Sequence, residues 1–367
     1  MLNIHRFNKK ILFAWLFTAI ALPITVKASP IIFNTFVQQS DINAALSPGD
    51  TSVIGFAYAG NKFVGSVYPN NSQLYQTNLS GGAVSKFGSP IPGGNSELYV
   101  SSSLGLGGFA SRDIYASAGP STGGLYHFSN NGTTQGAFTV TGATGLNTEY
   151  VKGIAFDPYG NYNHNMLVTT NSGNLYQVTS SGVATLLASI PGQVLEGIDF
   201  APAGFGPVGG QLVVASESAS TLFAVSTTGA VTKMSSLFGV SVSSAEEIGF
   251  VPLNLGLGGS IEGFYAAAYS SHGIQKANAN QFSGMLGDAI VTSELGGTDP
   301  VSDIHWNGTN FVVTNIGNLP GQAEDGIFVT QAIIQGGGPG SVPEPTTIAL
   351  FGLGLLGLGF SRYRSNP

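Results

Sequence analysis

Carboxylate side chains recur along this chain just before short apolar segments, and they are the residues best suited to chemistry. They are Glu97, Glu149, Glu196, Glu246 with Glu247, and Asp303. Hard oxygen donors of this kind bind Ca²⁺ at about 2.3–2.6 Å. We predict a metal site formed by Glu149, Glu196 and Glu246, which come from consecutive sequence units. The alternative is that these groups are ordinary solvated loop charges, because their offsets from the apolar segments vary.

The other reactive residue types form no recognisable catalytic set. His127, His164, His272 and His305 stand alone, with no His-x-x-x-His or His-Glu pair, and the chain has no cysteine. No Gly-x-Ser-x-Gly motif occurs between a predicted strand and a predicted helix, where a nucleophilic serine would be expected. The sequence therefore predicts no catalytic residue.

A repeat supplies the elements that would position the carboxylates. A Leu/Ile-aromatic segment recurs every 47–53 residues, beginning at Leu74, Leu125, Leu175, Leu222, Ile274 and Ile327. In the first four copies a glycine follows seven positions later, at Gly81, Gly132, Gly182 and Gly229. Glycine supplies the positive φ that tight hairpin turns need. A strand upstream and a further apolar segment, clearest at 153–158 and 197–202, recur with each copy.

Four short strands in each of six units predict an all-β, six-bladed β-propeller over residues 29–335. The Gly-Ile-x-Phe segments should be the innermost strands, with weaker copies at 248–250 and 304–306, whereas 264–268 and 311–314 should be second strands. The orphan segment 31–36 should complete the last blade. A β-helix or a pair of sandwiches is the competing architecture. The Gly-Ile-x-Phe-x-Pro segments resemble those of six-bladed propellers of the lactonase, strictosidine-synthase-like and NHL groups.

The charge of the body restricts its partners. Residues 31–341 contain 18 acidic and 6 basic side chains, a net charge of −12. Nucleic acid and anionic lipid surfaces require a positive footprint, so neither is an expected partner.

The N-terminal residues 1–28 have the pattern of a secretory signal peptide. Arg6, Lys9 and Lys10 precede an apolar run over residues 11–22, and small or compact residues at 26–28 suit cleavage after Ala28. The alternative is a retained membrane anchor, but 12 apolar residues fall short of the ~20 that a spanning helix needs.

The C-terminus has three parts in a fixed order. A Gly-rich linker at 336–341 leads to Val342, Pro343, Glu344 and Pro345, then to an apolar run at 348–360 that predicts a short hydrophobic helix, and finally to Arg362 and Arg364. The arginines would hold the tail on the cytoplasmic side of the membrane. Residues 342–367 resemble the PEP-CTERM sorting signal of Gram-negative bacteria.

This resemblance implies a destination rather than a reaction. Members of that family are recognised by a membrane-embedded exosortase, are anchored transiently in the inner membrane, and move to the cell surface or extracellular matrix, often with exopolysaccharide production. We therefore expect an exported binding or scaffold protein for a polysaccharide or a surface protein. The alternatives are a metal-dependent hydrolase of the lactonase type and an ice- or surface-adhesion protein, although no regular Thr-x-Thr ladder is present.

Replacing Pro343, Glu344 and Pro345 with alanine should leave an unprocessed, membrane-retained protein in a host that has an exosortase. The reason is that prolines on both sides of the glutamate keep the backbone extended and available to a protease cleft. Mass spectrometry of the cell-surface fraction gives the C-terminus. Alanine at residues 336–338 of the linker is the matched control and should be processed normally. A mature surface protein that still ends at Pro367 would contradict the prediction.

Overall fold

The computed structural model describes residues 30–46, 51–69, 72–94 and 96–330. The predicted signal peptide, linker and sorting signal lie outside these residues. Within them, the chain forms six β-sheets arranged as an all-β, six-bladed propeller, which confirms the predicted fold class. No helix of the described part is long and apolar enough to cross a membrane.

The first two blades follow the chain, with the innermost strand first. Strand β1 (Asn34–Val37) and helix α1 (Gln39–Leu46) precede them, and the sequence did not predict the helix. Blade 1 contains β2 (Ser52–Tyr58), β3 (Phe63–Tyr68), β4 (Leu74–Thr77) and β5 (Ser85–Phe87). Blade 2 contains β6 (Val100–Ser102), β7 (Ile114–Ser117), β8 (Leu125–Phe128) and β9 (Thr134–Phe138).

Blades 3 and 4 repeat this order with small additions. Blade 3 contains β11 (Val151–Phe156), β12 (Met166–Thr170), β13 (Asn174–Val178) and β14 (Val183–Ser189), and the two-residue β10 (Thr141–Gly142) pairs with its outer edge. Blade 4 contains β15 (Ile198–Phe200), β16 (Leu212–Ser216), β17 (Thr221–Val225) and β18 (Val231–Lys233). The outermost strand of blade 4 is short, because it ends at Lys233, where α2 (Met234–Phe238) begins. Single 3₁₀ turns lie at Thr144–Asn147, Gly206–Val208 and Ala279–Phe282.

Blades 5 and 6 are interleaved, which corrects the order predicted for them. Blade 5 contains β19 (Ala245–Phe250), β22 (Ala289–Ser293), β23 (Thr298–Trp306) and β24 (Phe311–Pro320). Blade 6 contains, from the axis outward, β25 (Ala323–Val329), β20 (Gly263–Ala268), β21 (Gly273–Asn278) and β1. The chain leaves blade 5 after its innermost strand, builds the β20–β21 hairpin of blade 6, and then returns.

Three strand assignments from the sequence are therefore wrong. Residues 304–306 belong to the third strand of blade 5 rather than to an innermost strand, and 311–314 belong to its outermost strand. The segment that begins at Ile327 lies in the innermost strand of blade 6. The hydrophobic pattern marks a hairpin but does not say which sheet the hairpin joins, so an exchange of hairpins leaves the repeat spacing intact.

The N-terminal strand closes the ring, as predicted from the segment 31–36. Strand β1 is antiparallel to β21, with Asn34 opposite Lys276, and it forms the outer edge of the blade whose innermost strand is β25. Ile31 adds a parallel bridge to Gly317 in blade 5. The two ends of the described chain thus lie in one sheet, so the first strand covers an edge that would otherwise be exposed.

Apolar side chains between neighbouring sheets hold the blades together. Between blades 1 and 6, Phe56 and Phe63 stack with ring centroids 4.9 Å apart, and Tyr265 lies 4.9 Å from Phe63. Val37 of β1 is buried in the same cluster. At the hairpin turns, Gly81 and Gly132 have φ of 83° and 89°, which confirms the predicted turn glycines.

Deleting residues 29–37 should lower the melting temperature substantially, because the apolar edge of β21 loses its partner. A milder change at the same contact is Val37→Ala, which removes a side chain that is 1% exposed. We expect it to cost roughly 1–3 kcal/mol of unfolding free energy. Ile32→Ala, at a side chain that is 64% exposed, is the control and should change stability little. Thermal unfolding unchanged by the deletion would contradict closure by β1.

Candidate functional site

The innermost strands form a ring around the axis, in the order β2, β6, β11, β15, β19 and β25. Glycines let them approach closely. A Cβ on Gly55 would lie 2.7 Å from the carbonyl oxygen of Leu98, and one on Gly153 would lie 2.5 Å from that of Glu196. The predicted Gly-Ile-x-Phe segments at 153–158 and 197–202 do lie at the axis. Their glycines are needed because atoms of the next blade occupy the space that a side chain would fill.

A cavity of about 210 Å³ lies on this axis, and all six innermost strands contribute to its lining. Its walls are largely apolar, and six aromatic side chains contribute to them, among them Phe56, Phe156, Phe250 and Phe328. One basic residue lines it: the Arg112 guanidinium lies over the Tyr58 ring, 5.2 Å from the ring centroid. We call this space the axial cavity.

Three carboxyl groups from consecutive blades line the axial cavity: Asp199, Glu247 and Asp325. The Phe56 N–H donates to Asp325 Oδ2 at 2.6 Å, so this side chain connects blade 6 to blade 1. The Phe250 N–H donates to Asp199 Oδ2 at 2.7 Å and connects blade 5 to blade 4 in the same way. Each aspartate also accepts the N–H of the residue that follows it, at 2.7 Å.

Burial dominates the protonation of these groups. Desolvation raises the pKa of Asp199 to about 6 and that of Asp325 to about 7, although the backbone N–H donors oppose the shift. Burial also raises the pKa of Glu247 well above its usual range, and the nearby charge of Asp325 adds to this. The lining of the axial cavity can therefore present protonated carboxyl groups, which donate as well as accept hydrogen bonds.

A buried ion-pair network lies next to the cavity. The Tyr99 hydroxyl donates to Glu196 Oε2 at 2.9 Å, and the Tyr99 ring lines the cavity. The Lys152 ammonium lies 3.0 Å from Glu97 Oε2 and 3.3 Å from Glu196 Oε1. Burial alone would lower the pKa of Lys152, but the negative charges of Glu196 and Glu97 outweigh it and raise this pKa.

Further carboxylates adjoin this network, and we call Glu196, Glu217, Glu246, Glu294 and Glu324 the acidic cluster. One carboxylate oxygen each from Glu196, Glu217 and Glu246 lie within 4.8 Å of one another. The Gln322 amide donates to Glu324 Oε1 at 3.1 Å and also to Glu294 Oε1. Burial, reinforced by the charge of Glu196, raises the pKa of Glu246 well above its usual range.

The structure brings together two of the three predicted metal ligands. Glu196 and Glu246 lie in the acidic cluster, whereas Glu149 accepts hydrogen bonds within blade 3, from the Tyr176 hydroxyl at 2.8 Å and the Thr170 hydroxyl at 2.6 Å. The third carboxylate that lies with Glu196 and Glu246 is that of Glu217. It follows β16 directly and belongs to no repeated motif, so the sequence offered no signal for it.

The remaining candidate carboxylates separate. Glu97 pairs with Lys152, Glu247 lines the axial cavity, and Asp303 lies in the third strand of blade 5. Sequence reasoning missed Asp199 and Asp325 at the cavity. Asp199 occupies the variable position of a Gly-Ile-x-Phe segment, which could have identified it. Asp325 lies within β25, an innermost strand that the sequence pattern assigns to another position in its blade.

Comparison with solved structures shows the same class of fold. A provisionally assigned gluconolactonase matches with a TM-score of 0.50 and 10% sequence identity, over 85% of this chain and 90% of that one. Lower-scoring matches include a catalytically inactive virginiamycin B lyase from Staphylococcus aureus with quinupristin (TM-score 0.45, 10% identity, 78% and 88% covered). Another is a provisionally assigned 6-phosphogluconolactonase from Bacteroides uniformis (TM-score 0.44, 12% identity, 77% and 90% covered). No curated protein matches the sequence.

The C-terminal segment gives the more specific comparison. Residues 341–364 match the PEP-CTERM protein-sorting motif, which confirms the predicted sorting signal. The motif marks an exported protein that is anchored transiently in the membrane and then processed by an exosortase. The chain is thus a six-bladed propeller that carries a sorting signal.

Stability should fall as pH rises from about 4 to about 7. Asp199 and Asp325 have an ordinary pKa of 3.8 and folded pKa values of about 6 and about 7, so the folded state binds more protons than the unfolded state in this window. Each such group contributes at most about 1.4 kcal/mol per pH unit.

Melting temperatures measured across this window test the effect. Asp325→Asn removes one titrating group and should make the fall with pH shallower, even if the variant is less stable throughout. Asp41→Asn, at an exposed position of α1, should keep the full slope. A slope that is the same in Asp325→Asn and in the unmodified protein would contradict the assignment.

Proposed function

We propose that this protein is an exosortase-processed surface or matrix protein whose propeller binds a neutral saccharide in the axial cavity. The observation that carries the proposal is the PEP-CTERM motif joined to a propeller whose axial cavity is lined in part by six aromatic side chains. The motif supports delivery to the outside of the cell. The cavity supports a binding role once the protein is there.

The chemistry of the cavity favours a hydroxyl-rich ligand. Aromatic walls pack against the apolar faces of sugar rings, and carboxyl groups exchange hydrogen bonds with hydroxyls. At about 210 Å³, the cavity is smaller than the ~300–1,000 Å³ of most drug-sized ligand sites. It therefore suits one sugar unit at the end or side of a chain. The net charge of −12 over residues 31–341 favours a neutral polymer over a polyanionic one.

The arrangement of the carboxylates supports binding over hydrolysis. A lactonase-type mechanism would need a cation beside the substrate to polarise its carbonyl. In the described residues, the group with metal-compatible spacing is Glu196, Glu217 and Glu246, and none of these three lines the axial cavity. The lining also contains neither histidine nor lysine among its described residues. A metal-dependent hydrolase is the second candidate, favoured by the carboxyl groups of Asp199, Glu247 and Asp325 in the cavity.

Export with an exopolysaccharide would give the cavity its ligand at the place of delivery. The proposed partners are the exosortase during processing and a matrix polysaccharide or surface protein afterwards. In this proposal the propeller is a scaffold that connects the cell surface to the matrix.

Filling the cavity should abolish saccharide binding. Ser101 lines the cavity on the short strand β6 and is partly exposed, so Ser101→Trp places an indole in the binding space without removing a core side chain. Ser236→Trp, at an exposed position of α2, is the matched control. Calorimetry with neutral hexose oligosaccharides should show binding by the unmodified chain and by the control, with at least about a tenfold loss in the cavity variant.

Three outcomes would count against the proposal. Binding that Ser101→Trp leaves intact would place the ligand elsewhere. No binding of any neutral oligosaccharide, or a preference for uronic acid polymers, would remove the saccharide role. Turnover of a lactone by the unmodified chain that Ser101→Trp abolishes would favour the hydrolase.

A further inference from the structure

The acidic cluster poses a charge problem that the fold itself does not solve. Among the described residues, one ammonium, that of Lys152, forms an ion pair with a member of the cluster, Glu196, and it also pairs with Glu97. Glu196, Glu246 and Glu324 are 2–3% exposed. Like charges buried this closely repel one another strongly, because the protein interior screens them far less than water does. Protons or a bound cation must neutralise them.

One buried oxygen in the cluster has no hydrogen-bond donor among the described residues. Glu246 Oε2 is completely enclosed and accepts no hydrogen bond from any described residue. Neighbouring carboxylates do have partners. The Tyr99 hydroxyl donates to Glu196, which also pairs with Lys152, and the Gln322 amide donates to Glu294 and Glu324. An enclosed acceptor without a donor costs free energy comparable to a lost hydrogen bond, and more for a charged group.

We propose that Glu196, Glu217 and Glu246 bind a single Ca²⁺ that joins blade 4 to blade 5. Glu196 directly precedes β15, Glu217 directly follows β16, and Glu246 lies in β19. The backbones already meet at this point, since the Gly197 N–H donates to the Glu246 carbonyl at 2.9 Å. The ion gives the buried Glu246 carboxylate a partner, and half-buried Glu217 gives the ion a path from solvent.

Three protein carboxylates suit Ca²⁺ better than Mg²⁺, which usually keeps several waters and binds through one or two carboxylates. Two oxygens on opposite sides of Ca²⁺ are about 4.6–5.2 Å apart, because each bond is 2.3–2.6 Å long. The corresponding span for Mg²⁺ is about 4.2 Å, and Mg²⁺ also demands a near-ideal octahedron. One oxygen from each of the three glutamates lies within 4.8 Å of the others, close enough for all three to reach a single Ca²⁺.

Lys152 does not substitute for this ion. Its ammonium pairs with Glu97 and Glu196 and donates to the Tyr99 hydroxyl, and its ion pairs among the described residues include neither Glu217 nor Glu246. The site also lies outside the axial cavity, so the ion would stabilise the junction between two blades rather than act on a ligand there. The inference therefore stands independently of the saccharide proposal.

Calorimetric titration of the full chain in detergent, freed of metal with chelator and then given CaCl₂, tests the proposal. We expect one site with a Kd near the 10⁻⁴–10⁻³ M of extracellular Ca²⁺ modules, roughly tenfold weaker binding of MgCl₂, and a melting temperature raised by several degrees at about 10 mM Ca²⁺. Glu246→Gln should lose at least about tenfold in affinity while its metal-free melting temperature stays the same or rises, because a neutral amide avoids the cost of burying an acid among other carboxylates.

The controls separate this site from the one predicted by sequence. Glu217→Gln should also weaken binding, whereas Glu149→Gln should bind Ca²⁺ with unchanged affinity because that carboxylate lies in blade 3. An absence of Ca²⁺ binding at millimolar concentration would overturn the proposal and leave protons as the neutralising species. Full affinity in Glu246→Gln would overturn it equally, as would loss of affinity in Glu149→Gln alone.

Discussion

The innermost strand of each blade pairs with another strand of its sheet on one side only. The backbone N–H and C=O groups on its other edge, at the axis, must find other partners. Buried backbone groups without partners are costly, so the neighbouring blade has to supply them. It does so through side chains and close backbone contacts. Asp325 accepts the Phe56 N–H, Asp199 accepts the Phe250 N–H, and the Thr169 hydroxyl donates to the Glu196 carbonyl at 3.2 Å. The side chains that make these contacts line the axial cavity and adjoin the acidic cluster.

Using carboxylates for this purpose has an electrostatic cost that shapes the axis. An aspartate that accepts two backbone N–H groups is well bonded, yet burial still raises its pKa because water no longer solvates the charge. One set of acids therefore lines a cavity in a form that can be partly protonated. The acidic cluster lies beside Lys152, and the negative charge of its ionised carboxylates would exceed the single positive charge of that lysine. The axis thus contains two chemically different regions only a few residues apart.

Much of the architecture could be predicted from the sequence, because it depends on local patterns. The hairpin glycines, the 47–53-residue spacing and the Gly-Ile-x-Phe segments depend only on turn geometry and close strand contact, and they identified four of the blades in order. The segment 31–36 was identified as the closing strand by elimination. The exchange between blades 5 and 6 could not be predicted, because a hairpin has the same pattern whichever sheet it joins.

The candidate site was less predictable than the fold. Glu196 and Glu246 were chosen because they precede innermost strands, and that logic holds wherever the segment is strong. It fails at Glu149, whose side chain turns toward Thr170 and Tyr176 of its own blade. It also fails at Glu217, which reaches the cluster from the turn after a second strand. Side-chain direction at a bulge or turn depends on tertiary contacts that spacing does not encode.

The interleaving of the last two blades also orders events during biogenesis. A chain that emerges from its N-terminus can complete blades 1 to 4 in sequence, but β19 must wait for β22, and the β20–β21 hairpin must wait for β25. Strand β1 waits longest, since its partner β21 lies about 240 residues away. Ring closure needs β25, which ends at Val329, just upstream of the sorting motif at 341–364. The propeller can therefore finish folding only when the chain has emerged almost as far as the sorting motif. The folded propeller and the sorting motif thus become available at nearly the same time.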